Sequence, residues 1–369
     1  MNDFEKQMMR KATEVVKAQP DLAEQSKIRE RNKFQKEPFW EEGADFLSEK
    51  DIERRPCTEE EKNELDKSLE QLGDLFQGAD FYWQLDGALN ISLYRGAYIG
   101  VHKDIDLSID FRELEKVESF LGSKGFGLFL SSGHRPGKKR IFERIDAKRL
   151  QNNEEGFQPM IFAINGDGSI KYGKENFCID THIIKWNDSG EPIGHHETTI
   201  PKEWLTPEVI DFHGRKINCS NPSLAAYHKL FFTRAYDDND LKLLAQSGKL
   251  TLRDVDLIEQ TFDKIIEDIQ EVIRCYIGRV LPKIKNAKDK QEISDILIND
   301  ELTIKHKENE ETQKFCNELA KKIITNENVT AENLYVEIFA TTPISKLLPR
   351  REERFAMLRQ NVSDSSNKN

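Results

Sequence analysis

Residues 81–110 read FYWQLDGALNISLYRGAYIGVHKDIDLSID, and the Asp104-Ile105-Asp106 near their end decides the fold. From Asp104 to Ile109 polar and apolar residues alternate with the period of a half-buried strand. Asp104 and Asp106 therefore take one face, and Ile105, Leu107 and Ile109 the other. Two carboxylates about 7 Å apart on one strand face repel each other. A hard divalent cation such as Mg²⁺ relieves that repulsion while keeping positions for water and phosphate oxygens. Upstream, Asp86-Gly87-Ala88 interrupts an apolar run and opens a helix-like stretch, whose first backbone N–H groups suit an anion. The pair of features implies phosphates held between a turn and metal ions.

Working outward, Asn176 to Trp186 (NFCIDTHIIKW) alternates again, with Cys178, Asp180, His182 and Ile184 on one face and Phe177, Ile179, Thr181 and Ile183 on the other. A carboxylate on such a strand, brought beside Asp104 and Asp106, completes a three-acid metal site, and Asp180 is the candidate. Between the two segments, Arg112 to Leu121 is an amphipathic helix, and strands are expected near 127–131, 139–145 and 160–164. Asn165-Gly166-Asp167-Gly168 is a strong hairpin turn. Beyond them, Gly214 turns into a short strand ending at Cys219. Ser220 or Asn221 then caps a helix with Pro222 in its first turn. That helix carries Leu224, Tyr227, His228 and Lys229, and is followed by Arg234 and Asp237-Asp238-Asn239-Asp240.

On these residues, from about Tyr82 to Leu244, the chain resembles the nucleotidyltransferases of the DNA polymerase β-like superfamily. The lincosamide and aminoglycoside nucleotidyltransferases and the AbiEii-type abortive-infection toxins are the branches it looks most like. The resemblance implies that Asp104 and Asp106 hold Mg²⁺ and that Gly87 belongs to the turn cradling a nucleoside triphosphate. Ile179-Asp180-Thr181-His182 matches the family's hydrophobic-Asp-x-His strand, which makes Asp180 a third metal ligand or a base. His102 and Lys103 stand beside the acidic strand as nucleotide contacts, and Lys229 is the candidate for the triphosphate charge. Two positions depart from the pattern. Asp86 precedes a single Gly87 where two adjacent small residues are usual, so an acidic side chain there would repel a triphosphate. Tyr236 stands where Lys is usual.

Composition excludes several classes. A net charge of −11 works against nonspecific nucleic-acid binding, leaving only local basic patches at 137–149 and 346–359. No apolar run approaches the roughly 18 residues of a membrane span, and the N-terminal stretch MNDFEKQMMRKATEVVK is charged throughout, so a cytoplasmic protein without membrane contact is expected. The five cysteines lack C-x-x-C pairing and are expected to be reduced. His195-His196-Glu197 offers ligand types for zinc, but adjacent residues on an extended chain point apart.

The expected architecture is α+β: a helical N-terminal extension over 1–75, a mixed-sheet nucleotidyltransferase core over 76–248, an all-helical domain over 249–360, and a disordered tail over 361–369. In the extension Phe4 to Lys17 and Glu59 to Phe76 read as helices, and Pro282 should halt the long helix that starts near Val255. The expected activity is Mg²⁺-dependent transfer of a nucleoside monophosphate from a triphosphate to a hydroxyl of an RNA, a protein or a small molecule. Helices on both sides of the core favour a toxin-like role. The alternative is a catalytically degenerate core acting as a binding protein, such as one partner of a toxin-antitoxin pair.

Overall fold

The computed structural model describes residues 54–101, 105–132, 141–152, 159–171, 178–232, 234–304, 307, 310–325 and 329–366. The predicted helix over Phe4 to Lys17 lies outside them. Of the described residues, 54–259 and 354–366 form one compact unit and 260–353 a second. The fold class is α+β, as the patterning predicts, with a mixed sheet of 9 strands among the described residues.

In the first unit, α1 (Glu59–Phe76) starts at a capping box: Glu61 N–H donates to Thr58 Oγ1 and Thr58 N–H to the Glu61 carboxylate. Its buried stripe of Leu69, Leu72, Leu75 and Phe76 ends with Phe76 stacked on Trp83, ring centroids 4.7 Å apart. Then follow β1 (Trp83–Leu85), α2 (Gly87–Arg95), β2 (Ile105–Asp110), α3 (Leu114–Ser123), β3 (Phe126–Ser132), β4 (Ile141–Arg144), α4 (Ala147–Gln151), β5 (Met160–Ala163), β6 (Ile179–Trp186) and β7 (Pro192–Ile193). The unit continues with β8 (Glu208–Phe212), β9 (Arg215–Cys219), α5 (Pro222–Leu230) and α6 (Ala235–Gln246). Asn221 caps α5 by accepting from Ser223 N–H at 2.9 Å.

The sheet order is β4-β3-β5-β6-β2-β1-β9-β8, with β7 paired to β6. The acidic strand β2 lies inside it, antiparallel to β1 and parallel to β6. Leu107 and Ile109 are fully buried, as alternation predicts. The opposite face is not a solvent face, however, because Ser108 and Asp110 are also buried. Their polar atoms have partners there: Asp110 accepts from Arg112 N–H at 2.8 Å and from Trp186 Nε1–H at 3.0 Å, and the Ser108 hydroxyl donates to Asp86. A central strand with satisfied polar groups can be covered on both sides.

The second unit is helical. It contains most of α7 (Leu252–Ile284), then α8 (Lys290–Ile298), α9 (Glu310–Ile324), α10 (Ala331–Thr341) and the start of α11 (Pro343–Ser366). Phe262, Ile265, Ile273, Tyr276 and Val280 are buried at helical spacing, and Tyr276 Oη donates to Leu297 O at 3.1 Å. Pro282 does not halt α7. It lies inside the last turn, and the helix runs on to Ile284, because a proline there removes only one amide bond near an end that would fray anyway.

Two further expectations change in α11. Residues 361–366 are helix rather than tail: Leu358 and Val362, four apart, are both fully buried and carry the apolar stripe past the polar composition that suggested disorder. The basic stretch 346–359 is not a free patch, since Arg354 is buried and donates to Asp238 at 2.6 Å and to the carbonyls of Leu230 and Phe232. Among the described residues, no helix is long and apolar enough to cross a membrane.

Candidate active site

Parallel pairing of β2 and β6 sets Asp106 opposite Asp180 and Ser108 opposite His182. On the other side of β2, Gln84 faces Ser108, and Asp86 N–H donates to Asp106 O at 2.8 Å. Asp106, Asp180 and the His182 imidazole thus lie on two neighbouring strands, β2 and β6, with Asp86 just past the end of β1 beside them. Burial pushes the Asp106 pKa up, and the charges of Asp180 and Asp86 add to that push against the opposing pull of His182 and Lys229. The His182 ring reaches Asp106 Oδ1 with Nε2 at 4.0 Å. No lysine or arginine pairs with Asp106 among the described residues. Two adjacent, partly exposed carboxylates offer oxygen donors to a hard cation, so the residues present fit Mg²⁺.

Gly87, the first residue of α2, sits against this pair. Its φ of +68° belongs to the left-handed region, and a Cβ built on it would lie 2.1 Å from Asp106 Oδ2. Only glycine allows both the turn and the approach. The neighbouring Asp86 does not point outward. It is 5% exposed, and its carboxylate accepts from Ser108 Oγ–H and from Gln84 Nε2–H, the latter at 3.3 Å. Burial raises its pKa. Although it occupies the N-cap of α2, its side chain makes no capping hydrogen bond. The Asp86 carboxylate is therefore turned toward Ser108 and Gln84 rather than outward, and the carboxylate against Gly87 is that of Asp106.

Lys229, in the last turn of α5, is buried. Its Nζ donates to Asp237 Oδ1 at 2.9 Å and to Asp240 Oδ2 at 2.7 Å. Arg234 pairs with Asp237 at 2.6 Å, and Arg54 grips both oxygens of Asp240 at 3.2 and 3.1 Å. Lys229 and Arg54 hold the Asp240 carboxyl at about 2 despite its burial. Beside this cluster His228 is kept neutral, its pKa well below the ordinary range, first by burial and then by the His195 and His182 rings. His195 Nε2 lies 3.1 Å from His228 Nδ1, and the His195 ring stacks on Phe231 at 4.1 Å.

The structure thus brings together Asp106, Asp180 and Gly87, and sets Lys229 among carboxylates within the field of Asp106. Asp104, His102 and Lys103 lie outside the described residues. Sequence reasoning missed Ser108, Gln84 and Arg54. Alternation signals Ser108, two residues beyond Asp106 on the same face, whereas nothing local to Arg54 signals a partner 186 positions away.

No protein-family model matches the chain, and neither does any curated protein. Solved structures do. A lincosamide antibiotic adenylyltransferase, LnuA, crystallised with lincomycin, is 19% identical and spans 52% of this chain and 98% of its own, at a TM-score of 0.31. ANT(2'')-Ia in complex with adenylyl-2''-tobramycin is 12% identical over 55% of this chain and 98% of its own, at 0.36. An antigenic nucleotidyltransferase-like protein from Paracoccidioides brasiliensis is 12% identical over 58% of this chain and 90% of its own, at 0.33. Over somewhat more than half its length, the chain is similar to lincosamide and aminoglycoside nucleotidyltransferases and to a nucleotidyltransferase-like protein.

Proposed function

We propose that this chain is a Mg²⁺-dependent nucleotidyltransferase, acting in the cytoplasm, that moves a nucleoside monophosphate from a nucleoside triphosphate to a hydroxyl of an RNA, a protein or a small molecule, with a toxin-like role favoured. The observation that carries the proposal is the side-by-side placement of Asp106 and Asp180 beneath a positive-φ glycine. Asp106 and Asp180, with Asp104 two residues ahead in the sequence, would hold the metal. When bound, Mg²⁺ neutralises the charge that develops on the phosphoryl oxygens.

The acceptor oxygen bonds to the α-phosphorus as the bond to pyrophosphate breaks in line. The hydroxyl proton passes to Asp180 where that residue serves as base rather than as ligand. Gly87 lets the backbone approach the phosphates, and the uncapped amides of α2 donate to them. Lys229 adds positive potential from below. The inward turn of Asp86 supports this reading over a degenerate core, because the acid that would repel the nucleotide is bonded to Ser108 and Gln84 instead.

The test is transfer of label from each α-³²P nucleoside triphosphate, with Mg²⁺, into cell lysate, comparing wild type with Asp106→Ala. Label entering RNA, protein or a small-molecule fraction with the wild type alone establishes the activity and names the acceptor class. No transfer with any of four nucleotides, together with no rise in Tm on adding Mg²⁺ and triphosphate, overturns it.

A further inference from the structure

Asp86 follows the last residue of β1, and β1 lies between β2 and β9 in the sheet. Its carboxylate is held from all three. Oδ1 accepts from Gln84 Nε2–H of β1 at 3.3 Å, and Oδ2 accepts from the Ser108 hydroxyl of β2. The hydroxyl of Ser220, the residue after β9, adds a side-chain hydrogen bond to the charged form, and itself accepts from Gln84 Nε2–H at 3.2 Å. Gln84, Asp86, Ser108 and Ser220 are each at most 5% exposed, so the network is buried. Its donors are hydroxyls and a carboxamide. They fix the direction of the carboxylate without cancelling its charge, and a charged acceptor strengthens each bond.

The backbone of the same residue is tied to the acidic strand. Asp86 N–H donates to Asp106 O at 2.8 Å, while the side chain holds Ser108, two residues further along β2. Asp86 is therefore fixed to β2 at two points, and the next residue, Gly87, comes down against the Asp106 carboxylate, so close that a Cβ would lie 2.1 Å from Oδ2. On the far side, Ser220 N–H donates to Leu85 O at 2.9 Å. Ser220 O accepts from Asn90 Nδ2–H at 3.1 Å and from Tyr94 Oη–H at 2.5 Å, both on α2. The approach of Gly87 to Asp106 is thus held from the strands on both sides of β1, not by the turn alone.

We propose that Asp86 is a positioning residue: a buried latch, closed on Ser108 and Ser220, that sets the Gly87 turn against Asp106 and so fixes the spacing between the turn that receives phosphates and the acid that holds metal. The proposal rests on the nucleotidyltransferase reading above. Burying a carboxylate among neutral donors carries a desolvation cost that an apolar or small residue at the same turn would not incur. What the acid provides in exchange is register, since each oxygen has its own partner on a different strand. Register matters at such a place because a misplacement of about 1 Å between reacting groups lowers a rate about a hundredfold.

The experiment measures transfer kinetics, Tm and amide hydrogen exchange on the full chain, with wild type, Asp86→Ala, Asp86→Asn and Tyr94→Phe. Asp86→Ala opens the latch and is expected to lower kcat for nucleotidyl transfer about thirtyfold or more, with KM for the triphosphate within about threefold. Asp86→Asn keeps an acceptor for Ser108, and its amide can donate to Gln84 Oε1, which has no partner among the described residues, once the Gln84 amide turns over. It recovers kcat to within about threefold of wild type. Tyr94→Phe breaks a bond of the same network away from the turn, and lowers Tm while leaving kcat within about threefold. In Asp86→Ala the protection of the amide at position 86 falls about tenfold while that of the β2–β6 amides is kept. An unchanged kcat in Asp86→Ala, or a kcat that follows Tm through all three variants, overturns the proposal in favour of a network that only stabilises the fold. If the wild type itself neither binds nor transfers nucleotide, the nucleotidyltransferase reading fails. The latch is then decided by exchange alone: a loss of protection confined to position 86 upholds it, and a loss shared equally by all strands, or none, removes it.

Discussion

Two sets of buried or half-buried carboxylates lie in the same unit and are treated in opposite ways. On the sheet, Asp106 faces Asp180 and Asp86, and burial, with those two charges behind it, raises its pKa against the pull of His182 and Lys229. On α6, Asp237 and Asp240 are closed in by Lys229, Arg234 and Arg54, and Asp240 is held at about 2. The α6 set is the more deeply buried, with the Asp240 side chain 1% exposed against 26% for Asp106, so depth of burial does not set the direction. The difference is whether the protein itself supplies the compensating cations. Where it does, the acids are structural and their charge is spent within the fold. Where acid is set against acid, the site gains most from a cation brought from outside, which is the arrangement a metal-dependent reaction requires.

That contrast is broken most directly at its functional pole. Asp106→Asn is expected to lower kcat/KM for nucleotidyl transfer by about a thousandfold or more, and steady-state kinetics with labelled triphosphate would measure it. At the structural pole, Asp240→Asn leaves Arg54 without its partner and Lys229 with one partner fewer. It should cost about 3 kcal/mol of stability, read from chemical denaturation. The converse also holds. Asp106→Asn removes a repelled charge and should raise the denaturation midpoint rather than lower it, so a large fall would show that Asp106 is structural after all.

The pH dependence sharpens the same contrast. The folded-state pKa of Asp240, about 2, lies below the roughly 3.9 of an unfolded chain, so its contribution is complete above about pH 4 and is lost as pH falls toward 2. That contribution is on the order of 2 kcal/mol, and the acid limb of the stability profile should flatten by this amount in Asp240→Asn. The smallest effect is expected at the turn. Gly87→Ala forces a side chain into the left-handed region and against Asp106, destabilising by about 1–2 kcal/mol, with transfer activity falling out of proportion to the change in Tm.

Much of this was legible in the residues, and the reasons differ by element. Alternation in β2 and β6 reports which way side chains point, because a strand has a period of two whatever lies beside it. Thr58-Glu59-Glu60-Glu61 reports the start of α1 because capping is satisfied within four residues. Pro282 and the 361–366 segment misled for the same reason in reverse. Local composition argued for a stop and for disorder, but Pro282 falls in the last turn of α7, where it interrupts little, and burial of Leu358 and Val362 orders the end of α11. Asp86 is the clearest case at the site. As a sequence letter it is an acid in a phosphate turn, and only its contact with Ser108 and Gln84 shows where the carboxylate goes.

What the sequence by itself determined is the chemistry available: carboxylates at two-residue spacing on strands, a glycine at a turn, a capped helix carrying His228 and Lys229, and the elements that present them. What only the tertiary structure decided is which charges meet. The parallel register sets Asp106 against Asp180, and the chain brings Arg54 across 186 positions to Asp240. Direction and period are properties of neighbouring residues along the backbone. Electrostatic compensation depends on distance through space, and segments far apart in the chain settle it only when the sheet and its covering helices close together.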